Sequence, residues 1–304
     1  MESKGEAKMR NMLLIVNPVA GAKTSVTYLA EAVRAFNEGG YEVSVFVTGA
    51  KGDGEYYAAA MTGPGCRYDR VCAIGGDGTL NEVVSGMVRA ECELPFGYIP
   101  AGSTNDFAMT HHLNTNLQAA CRSILGDIYE PVDLGRIGGR YFTYVAAFGA
   151  FTNLTYTTSQ QLKNAIGYSA YIFDGMRELT KISPKHIRFT VDGKVFEDDY
   201  LFGAVSNSTS VAGLLTLPER IVSMNDGKFE VLLIRQPSSA GALTNILFSL
   251  AAGNFDADGI TFLSGSEIAV ESANPIEWSL DGERCRTEGC VTIENLHNRL
   301  TLIR

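Results

Sequence analysis

Three glycine-bearing segments in the first third of the chain contain the residue types that bind phosphate. They are residues 17–21 (NPVAG), 75–79 (GGDGT) and 100–106 (PAGSTND). Glycines let backbone N–H groups approach a polyphosphate closely, and a helix that follows adds about half a positive charge at its amino end. Residues 17–21 do not form a GxxxxGKS/T phosphate loop. Residues 75–79 by themselves indicate a nucleotide or phosphate site, and the other glycine segments at the same sheet edge strengthen that prediction.

Asp77, in the second segment, predicts a cation at this site. A carboxylate that faces a phosphate-binding turn repels the phosphate unless a cation lies between them, and Mg²⁺ is the usual cation. A structural alternative remains open, because Thr79 and Glu82 have the spacing of a helix capping box. Ser103 and Asp106 have the same spacing, so they too could simply begin a helix.

Two acidic turns in the second half of the chain are further candidates. They are residues 280–283 (LDGE) and 223–228 (SMNDGK). Asp-Gly is typical of a hairpin turn, yet a phosphoryl transfer also needs a base near the acceptor hydroxyl. We interpret the pair His111-His112 as solvent-exposed rather than as a ligand.

The first 130 residues alternate apolar runs, most of them apolar enough for burial on both faces, with segments of helical spacing. This alternation predicts a parallel sheet with crossover helices, whose ligands lie beyond the carboxyl ends of the strands. The predicted strands are Leu13–Val16, Tyr41–Val47, Val71–Ile74 and Phe96–Ile99, and the predicted helices are Val26–Phe36, Glu55–Met61, Leu80–Val88 and Leu117–Leu125.

After Pro131 the pattern changes to alternating runs separated by glycine turns, which predicts an antiparallel sandwich or barrel. Gly138-Gly139 and Asp192-Gly193 are hairpin signals, and helical segments are expected near Leu162–Leu179 and Ala240–Ala252. We therefore expect a domain of residues 10–132 and a second domain of residues 133–304, whose last strand is a candidate to return to the first.

Composition excludes several classes of protein. Hydrophobic residues make up 45% of the 304 residues and charged residues 19%, which excludes a disordered chain or a coiled coil. The formal net charge of −9 argues against a nucleic-acid partner. We find no apolar stretch of 18 residues and no CxxC pair among the six cysteines, so we expect free thiols and a cytoplasmic location.

The ordered set of motifs resembles the diacylglycerol kinase catalytic-domain family, which includes bacterial soluble lipid kinases and sphingosine kinases. The resemblance is carried by residues 17–21, 75–82, 100–108 and 281–283, which occur in the family's order. It implies a nucleotide-binding α/β amino-terminal domain of the phosphofructokinase and NAD-kinase type with a parallel sheet. It also implies a carboxyl-terminal antiparallel β-sandwich for the lipid substrate, with the active site in the cleft between the two.

The resemblance further implies ATP and Mg²⁺ and assigns roles to residues. Asp281 falls on the position of the general base, with Glu283 beside it. A structural magnesium would bind Asp226 with the carbonyl oxygens of Ser223 and Lys228, and Asp77 would hold a magnesium at the phosphates. The residues implied to contact ATP are Asn17, Pro18, Gly21, Thr48, Gly75, Gly76, Asp77, Gly78, Thr79, Asn81, Glu82, Gly102 and Ser103.

Three positions depart from the family pattern. Ser103 replaces a threonine and keeps its hydroxyl, Thr104 replaces a frequent glycine, and Met109 replaces a frequent arginine. These departures bear on the substrate more than on the fold.

The implied reaction moves the γ-phosphoryl group of ATP to the hydroxyl of a lipid alcohol, with diacylglycerol as the first candidate. The alternatives are an NAD kinase and a catalytically weak or silent member that binds nucleotide or lipid. The implied partner is a lipid at the inner membrane face, bound peripherally and reversibly. A candidate docking segment is Leu162–Arg188, with five basic residues against two acidic ones; alternatively, its aromatics are core and its lysines solvated.

Overall fold

The chain folds as two units in a computed structural model that describes residues 9–149, 183–211, 215–217 and 221–304. The first unit contains the residues up to Val132 together with Arg299–Arg304, and the second contains Asp133–Asn298. Two strands contribute residues to both units: β5 (Tyr129–Ile137) and β15 (Glu283–Ile303).

The first unit is built on a parallel sheet in the order β2-β1-β3-β4, with the last residues of β15 beside β4. Val16 on β1 lies between Val47 on β2 and Ile74 on β3, and Ile74 lies beside Ile99 on β4. The inner strands are uninterrupted apolar runs because both of their faces are covered. The strands are β1 (Arg10–Val16), β2 (Tyr41–Val47), β3 (Arg70–Gly75) and β4 (Phe96–Pro100).

Helices connect these strands and cover the sheet. The apolar core of one face combines Phe36 and Ile124, from the first and fifth helices, with Leu14 and Cys72 of the strands. The second and third helices meet closely, since a Cβ at Gly86 would lie 2.3 Å from a backbone oxygen. The helices are α1 (Thr24–Glu38), α2 (Asp53–Met61), α3 (Asp77–Arg89), α4 (Asp106–Thr110) and α5 (Leu117–Leu125), and a 3₁₀ turn (Ala20–Lys23) precedes α1.

β2 lies at the edge of the sheet beside β1, and its outer residues are partly exposed. One expectation for the first unit is wrong. The helix expected from Leu80 begins at Asp77, because Gly76 rather than Thr79 is its N-cap residue.

The second unit is antiparallel, and its long strands take part in two layers. Residues 194–200 of β9 pair with β8, and residues 202–206 of the same strand pair with β7. In the same way, residues 268–271 of β14 pair with β8 and residues 278–280 pair with β7. The register of β14 against β15 shifts between Ser272 and Ile276. The remaining strands here are β6 (Arg140–Phe142), β7 (Val145–Gly149), β8 (Lys185–Val191), β9 (Lys194–Ser206), β10 (Ser210–Val211), β11 (Leu215–Thr216), β12 (Phe229–Arg235), β13 (Ile260–Gly265) and β14 (Glu267–Leu280), with helix α6 (Ala240–Ala251) after β12.

Aromatic side chains fill the core of the second unit. The ring of Phe148 lies 5.2 Å from that of Trp278 and 6.1 Å from that of Phe189. Trp278 donates its ring N–H to the Thr287 hydroxyl at 2.8 Å, so the indole is buried without an unpaired donor. The predicted hairpins at Gly138-Gly139 and Asp192-Gly193 are confirmed.

Most of the candidate docking segment, residues 162–188, and the helix expected near Leu162–Leu179 lie outside the described residues. Lys185 and Arg188 are described, and both belong to β8. Over the described ranges, no helix combines the length and the apolar composition needed to cross a membrane.

A buried carboxylate, Asp133, ties the two ends of the second unit together. It is fully buried and accepts hydrogen bonds from the backbone N–H of Gly227 at 2.7 Å and of Asn298 at 2.6 Å. Nδ1 of His297 lies 3.0 Å from the same carboxylate. Since Asp133 and Asn298 are the first and last residues of the unit, one side chain joins its entry, its exit and the 223–228 loop.

We predict that Asp133→Ala lowers the free energy of unfolding by about 1–3 kcal/mol, because it removes the buried acceptor that joins three part-buried segments. Urea unfolding followed by circular dichroism measures the change, with the exposed Asp256→Ala as the matched control. An unchanged unfolding midpoint for Asp133→Ala would show that this carboxylate does not hold the segments together.

Candidate functional site

The first-unit candidates gather at the point where the strand order of the parallel sheet switches direction. The chain passes from β1 outward to β2 on one side, and from β3 to β4 on the other. Ligands of such sheets bind beyond the carboxyl ends of the strands at this switch point. Asn17 follows β1 here, and its Nδ2 donates to Oγ1 of Thr79 after β3 at 3.0 Å. The first and second glycine segments are therefore in direct contact.

The second and third glycine segments touch through their backbones. A Cβ placed on Gly102 would lie 2.6 Å from Cα of Gly76, and one placed on Gly76 would lie 3.2 Å from Cα of Gly102. Carbon atoms essentially never approach at 2.6 Å, so position 102 excludes any larger residue unless the loops separate. These two glycines thus serve the packing of loop against loop.

The carboxylate of Asp77 joins the same two segments. Oδ2 accepts hydrogen bonds from the Thr104 hydroxyl and the Asp106 N–H, both at 3.2 Å, and Oδ1 accepts from the Phe107 N–H at 3.3 Å. Burial raises the pKa of Asp77, and these hydrogen bonds only partly offset the effect. The residue predicted to hold a cation is thus already engaged by the amino end of α4.

The amino end of α3 lacks a side-chain cap. Its N-cap residue is Gly76, which provides no side chain to accept from the first-turn N–H groups. The capping-box interpretation of Thr79 and Glu82 is therefore wrong. Glu82 instead accepts from the N–H groups of Gly52 and Gly54, at 2.8 and 3.1 Å, at the start of α2. An uncapped helix terminus at a switch point is suited to bind an anion.

Asn105, which is not among the residues implied to contact ATP, closes the third segment. Its Oδ1 accepts from the N–H of Gly102 at 2.8 Å, and its Nδ2 donates to the oxygen of the same residue at 3.1 Å. Asn105 has φ 54°, a left-handed conformation that asparagine tolerates, and it is the N-cap residue of α4. The Ser103–Asp106 capping box is therefore also wrong, and Ser103 is exposed.

The other first-unit candidates lie around the same edge or behind it. Thr48 follows β2, is buried, and donates its hydroxyl to the oxygen of Val16 at 3.4 Å. Pro18 and Gly21 lie in the turn after β1, and Asn81 is buried in the second turn of α3.

In the second unit, Asp281 forms a two-residue hairpin turn with Gly282. Both residues have positive φ, 48° and 89°, as a type I′ turn requires. The carboxylate is buried, and its Oδ2 accepts from the N–H of Thr143 at 2.5 Å and from the hydroxyl of the same residue at 2.8 Å. Oδ1 accepts from the N–H groups of Tyr144 and Val145 at 3.1 and 3.0 Å. Glu283 begins β15 immediately after the turn.

Each carboxylate oxygen of Asp281 accepts from two of these donors. Three of the donors are backbone N–H groups with fixed directions, and the fourth is the Thr143 hydroxyl, which can rotate. The turn interpretation is confirmed, and the turn places an oriented, buried carboxylate at its apex.

The candidates for a second magnesium lie on the loop before β12. Asp226 accepts from the N–H of Lys228 at 3.0 Å, and the oxygen of Lys228 accepts from Nδ2 of Asn295 at 3.2 Å. The Ser223 hydroxyl lies 3.2 Å from Oδ1 of Asn225. Where side chains are described, we find no cluster of three or more histidine, cysteine, aspartate or glutamate residues that could hold a metal. A site here would depend on backbone oxygens.

The interpretation of His111-His112 as a solvent-exposed pair is wrong for His111. Its side chain is buried, with Nδ1 3.5 Å from a carboxylate oxygen of Glu130. The ring stacks near Phe107, with centroids 4.3 Å apart, so it belongs to the packing behind α4.

We predict that Gly102→Ala lowers stability by about 1–3 kcal/mol, because the added Cβ forces the second and third segments apart. Gly63→Ala is the matched control, since a Cβ there meets no atom within 4 Å. Thermal unfolding measures both variants. Equal melting temperatures for Gly102→Ala and the wild type would contradict the close contact.

Two family models match consecutive parts of the chain. The model described as "Diacylglycerol kinase catalytic domain" matches residues 11–137. The model described as "YegS C-terminal NAD kinase beta sandwich-like domain" matches residues 148–304.

Similar proteins match along nearly the whole chain. A diacylglycerol kinase of Bacillus subtilis is 30% identical over 279 residues, 90% of each chain, and one of Staphylococcus haemolyticus is 29% identical over 89% of this chain and 81% of its own. A diacylglycerol kinase crystal structure from Bacillus anthracis matches with a TM-score of 0.75 at 23% identity over 98% of each chain, which supports the fold. The order of the glycine segments, the switch-point contacts and these matches lead to one assignment: the chain belongs to the diacylglycerol kinase family.

Proposed function

We propose that this chain is an ATP-dependent lipid kinase that transfers the γ-phosphoryl group of ATP to the hydroxyl of diacylglycerol, giving phosphatidic acid and ADP. The observation that carries the proposal is the contact of three glycine segments at the switch point of a parallel sheet, beside the uncapped amino end of α3. The curated relatives that match nine-tenths of the chain are named for this activity.

In this proposal the first unit binds the phosphates of ATP. We also propose that its α/β fold is of the phosphofructokinase type. The first-turn N–H groups of α3 and the glycine backbones donate to phosphate oxygens, and the positive end of the helix stabilises their charge. The contacting residues would be Asn17, Pro18, Gly21, Thr48, Gly75, Gly76, Gly78, Thr79, Asn81, Gly102 and Ser103. Asp77 and Glu82 act through the loops that they hold.

Mg²⁺ fits the chemistry of the oxygen donors on the 223–228 loop, since hard cations prefer carboxylate and carbonyl oxygens. Asp226 would bind it through its carboxylate, and Ser223 and Lys228 through their backbone oxygens. At the phosphates, Asp77 would hold the ion through an oxygen that it shares with a hydrogen-bond donor of α4. When bound there, Mg²⁺ neutralises charge on the transferring phosphoryl group.

Asp281 accepts the proton of the lipid hydroxyl in this proposal, with Glu283 beside it. The three backbone donors orient the carboxylate, and rotation of the Thr143 hydroxyl frees a lone pair on Oδ2 for the incoming proton. A base held in this way needs no rearrangement of the backbone to act.

A lipid acceptor cannot be carried through water. Exposing its chains costs about 0.8 kcal/mol per CH₂, or about 24 kcal/mol for roughly 30 of them. We therefore propose that the protein takes its substrate at a membrane surface, bound peripherally and reversibly at the inner face.

The test of the function is ADP release by the purified chain with ATP, Mg²⁺ and one acceptor at a time. We expect detergent-dispersed diacylglycerol to stimulate turnover, while sphingosine and NAD do not. Stimulation by NAD would support the NAD-kinase alternative instead. No stimulation by any acceptor would indicate a silent, ligand-binding member of the family.

The same assay tests the base. We predict that Asp281→Asn lowers kcat by roughly 10²–10⁴-fold with an unchanged KM for ATP, because the amide cannot accept the proton. Asp256→Asn, on an exposed loop, is the control, and circular dichroism at the assay temperature checks that both variants are folded. A kcat for folded Asp281→Asn within threefold of the wild type would rule out this residue as the base.

A further inference from the structure

A row of side chains across the second unit includes a buried glutamate that none of the steps above uses. Glu230 on β12 lies directly opposite Ser206 on β9, and Ser206 lies opposite Val145 on β7. Residues opposite each other on antiparallel strands project from the same face of a sheet. Glu230, Ser206 and Val145 therefore form one row on the face away from the aromatic core, which takes Phe229 and Val231.

Polar atoms in this row are buried without hydrogen-bond partners. Glu230 is 2% exposed and Ser206 is 1% exposed, and neither Oε2 of the glutamate nor Oγ of the serine has a partner. The next residue, Asn207, donates through Nδ2 to the backbone oxygens of Asp133 and Met224, but its buried Oδ1 is also unpartnered. Buried polar atoms are nearly always satisfied, so the two unpartnered atoms on the directly opposed Glu230 and Ser206 point to a ligand.

The row lies between the proposed base and an apolar strip. At one end, the N–H of Val145 donates to Oδ1 of Asp281. Along the strands, the next rows on the same face are apolar and buried: Leu232 opposite Ala204, then Ile234 opposite Phe202. The unpartnered polar atoms thus belong to a row that is bordered by apolar rows and that ends at Val145, whose N–H contacts the proposed base.

We propose that Glu230 and Ser206 bind the glycerol-ester headgroup of a neutral acylglycerol acceptor and thereby determine which lipid alcohol is phosphorylated. This inference rests on the proposed function and names the substrate-recognition residues for it. The ester and hydroxyl oxygens of such a headgroup supply the hydrogen-bond partners that the row lacks.

The surroundings of Glu230 match a neutral acceptor, because its cross-strand neighbours Ser206 and Ser264 are uncharged.

The experiment measures kcat, KM for dispersed dioctanoylglycerol and KM for ATP at pH 7. We expect Glu230→Ala to raise the KM for the lipid about tenfold, with the KM for ATP unchanged. Glu230→Gln keeps hydrogen-bonding atoms at this position, so its KM for the lipid should stay nearer the wild-type value than that of Glu230→Ala. The exposed Glu271→Ala on β14 is the matched control.

Thermal unfolding separates recognition from a structural role. Because Oε2 of Glu230 has no protein partner, Glu230→Ala should melt no lower than the wild type. A lipid KM for Glu230→Ala within twofold of the wild type would overturn the inference and leave the row as a water site. A lower melting temperature and a raised KM for both substrates would also overturn it. If the wild type does not turn over diacylglycerol at all, the proposed function fails and this inference fails with it.

Discussion

The buried carboxylate of Asp77 is the interaction on which the first-unit site depends. It lies at the start of one helix and accepts from N–H groups at the start of another, so two glycine segments share one acceptor. The cost of burying the charge is visible in the raised pKa of this residue. The short contact between Gly76 and Gly102 is possible because this acceptor draws the segments together. Without it, the uncapped end of α3 would lose a fixed neighbour.

The buried carboxyl groups of the second unit differ in how fully they are hydrogen-bonded. Asp281 and Asp133 are surrounded by donors, which fixes their positions and uses their acceptor capacity for the fold. Glu230 has an oxygen with no partner at all. A fully satisfied buried group rigidifies a structure, whereas a partly satisfied one costs stability and is retained where a ligand uses it. In the proposals above, this contrast separates Asp281, as the base, from Glu230, as a recognition residue.

Much of the fold could be predicted from the sequence because its inner strands are continuous apolar runs. β3 was expected at Val71–Ile74 and extends one residue further at each end, and α5 matches its expected bounds. The two longest strands lack such a continuous signal, because the irregularity near residues 272–276 interrupts the alternation of β14 and the middle of β15 is polar. The capping-box prediction failed at Thr79 because Gly76 is the N-cap residue. The Thr79 hydroxyl instead accepts a hydrogen bond from Asn17, which follows β1.

The candidate site could be predicted only in part. Glycine spacing indicated which loops to examine, but the contact between residues 76 and 102 depends on strand register, which no local pattern contains. Glu230 was missed because a glutamate within the strand sequence FEVLLIR predicts a solvent-exposed side chain. Its burial depends on tertiary packing over that face of the sheet, which no local pattern contains. Likewise, only the full structure shows that its Oε2 has no hydrogen-bond partner.

The most direct measurement is calorimetric titration of ATP into Asp77→Ala, with and without Mg²⁺, beside an Asp69→Ala control at the opposite end of β3. If Asp77 holds the phosphate-binding loops together, the variant binds ATP at least about tenfold more weakly and the loss persists in EDTA. The control binds as the wild type does. Wild-type affinity for ATP in a folded Asp77→Ala variant would contradict this role of the carboxylate and, with it, the site.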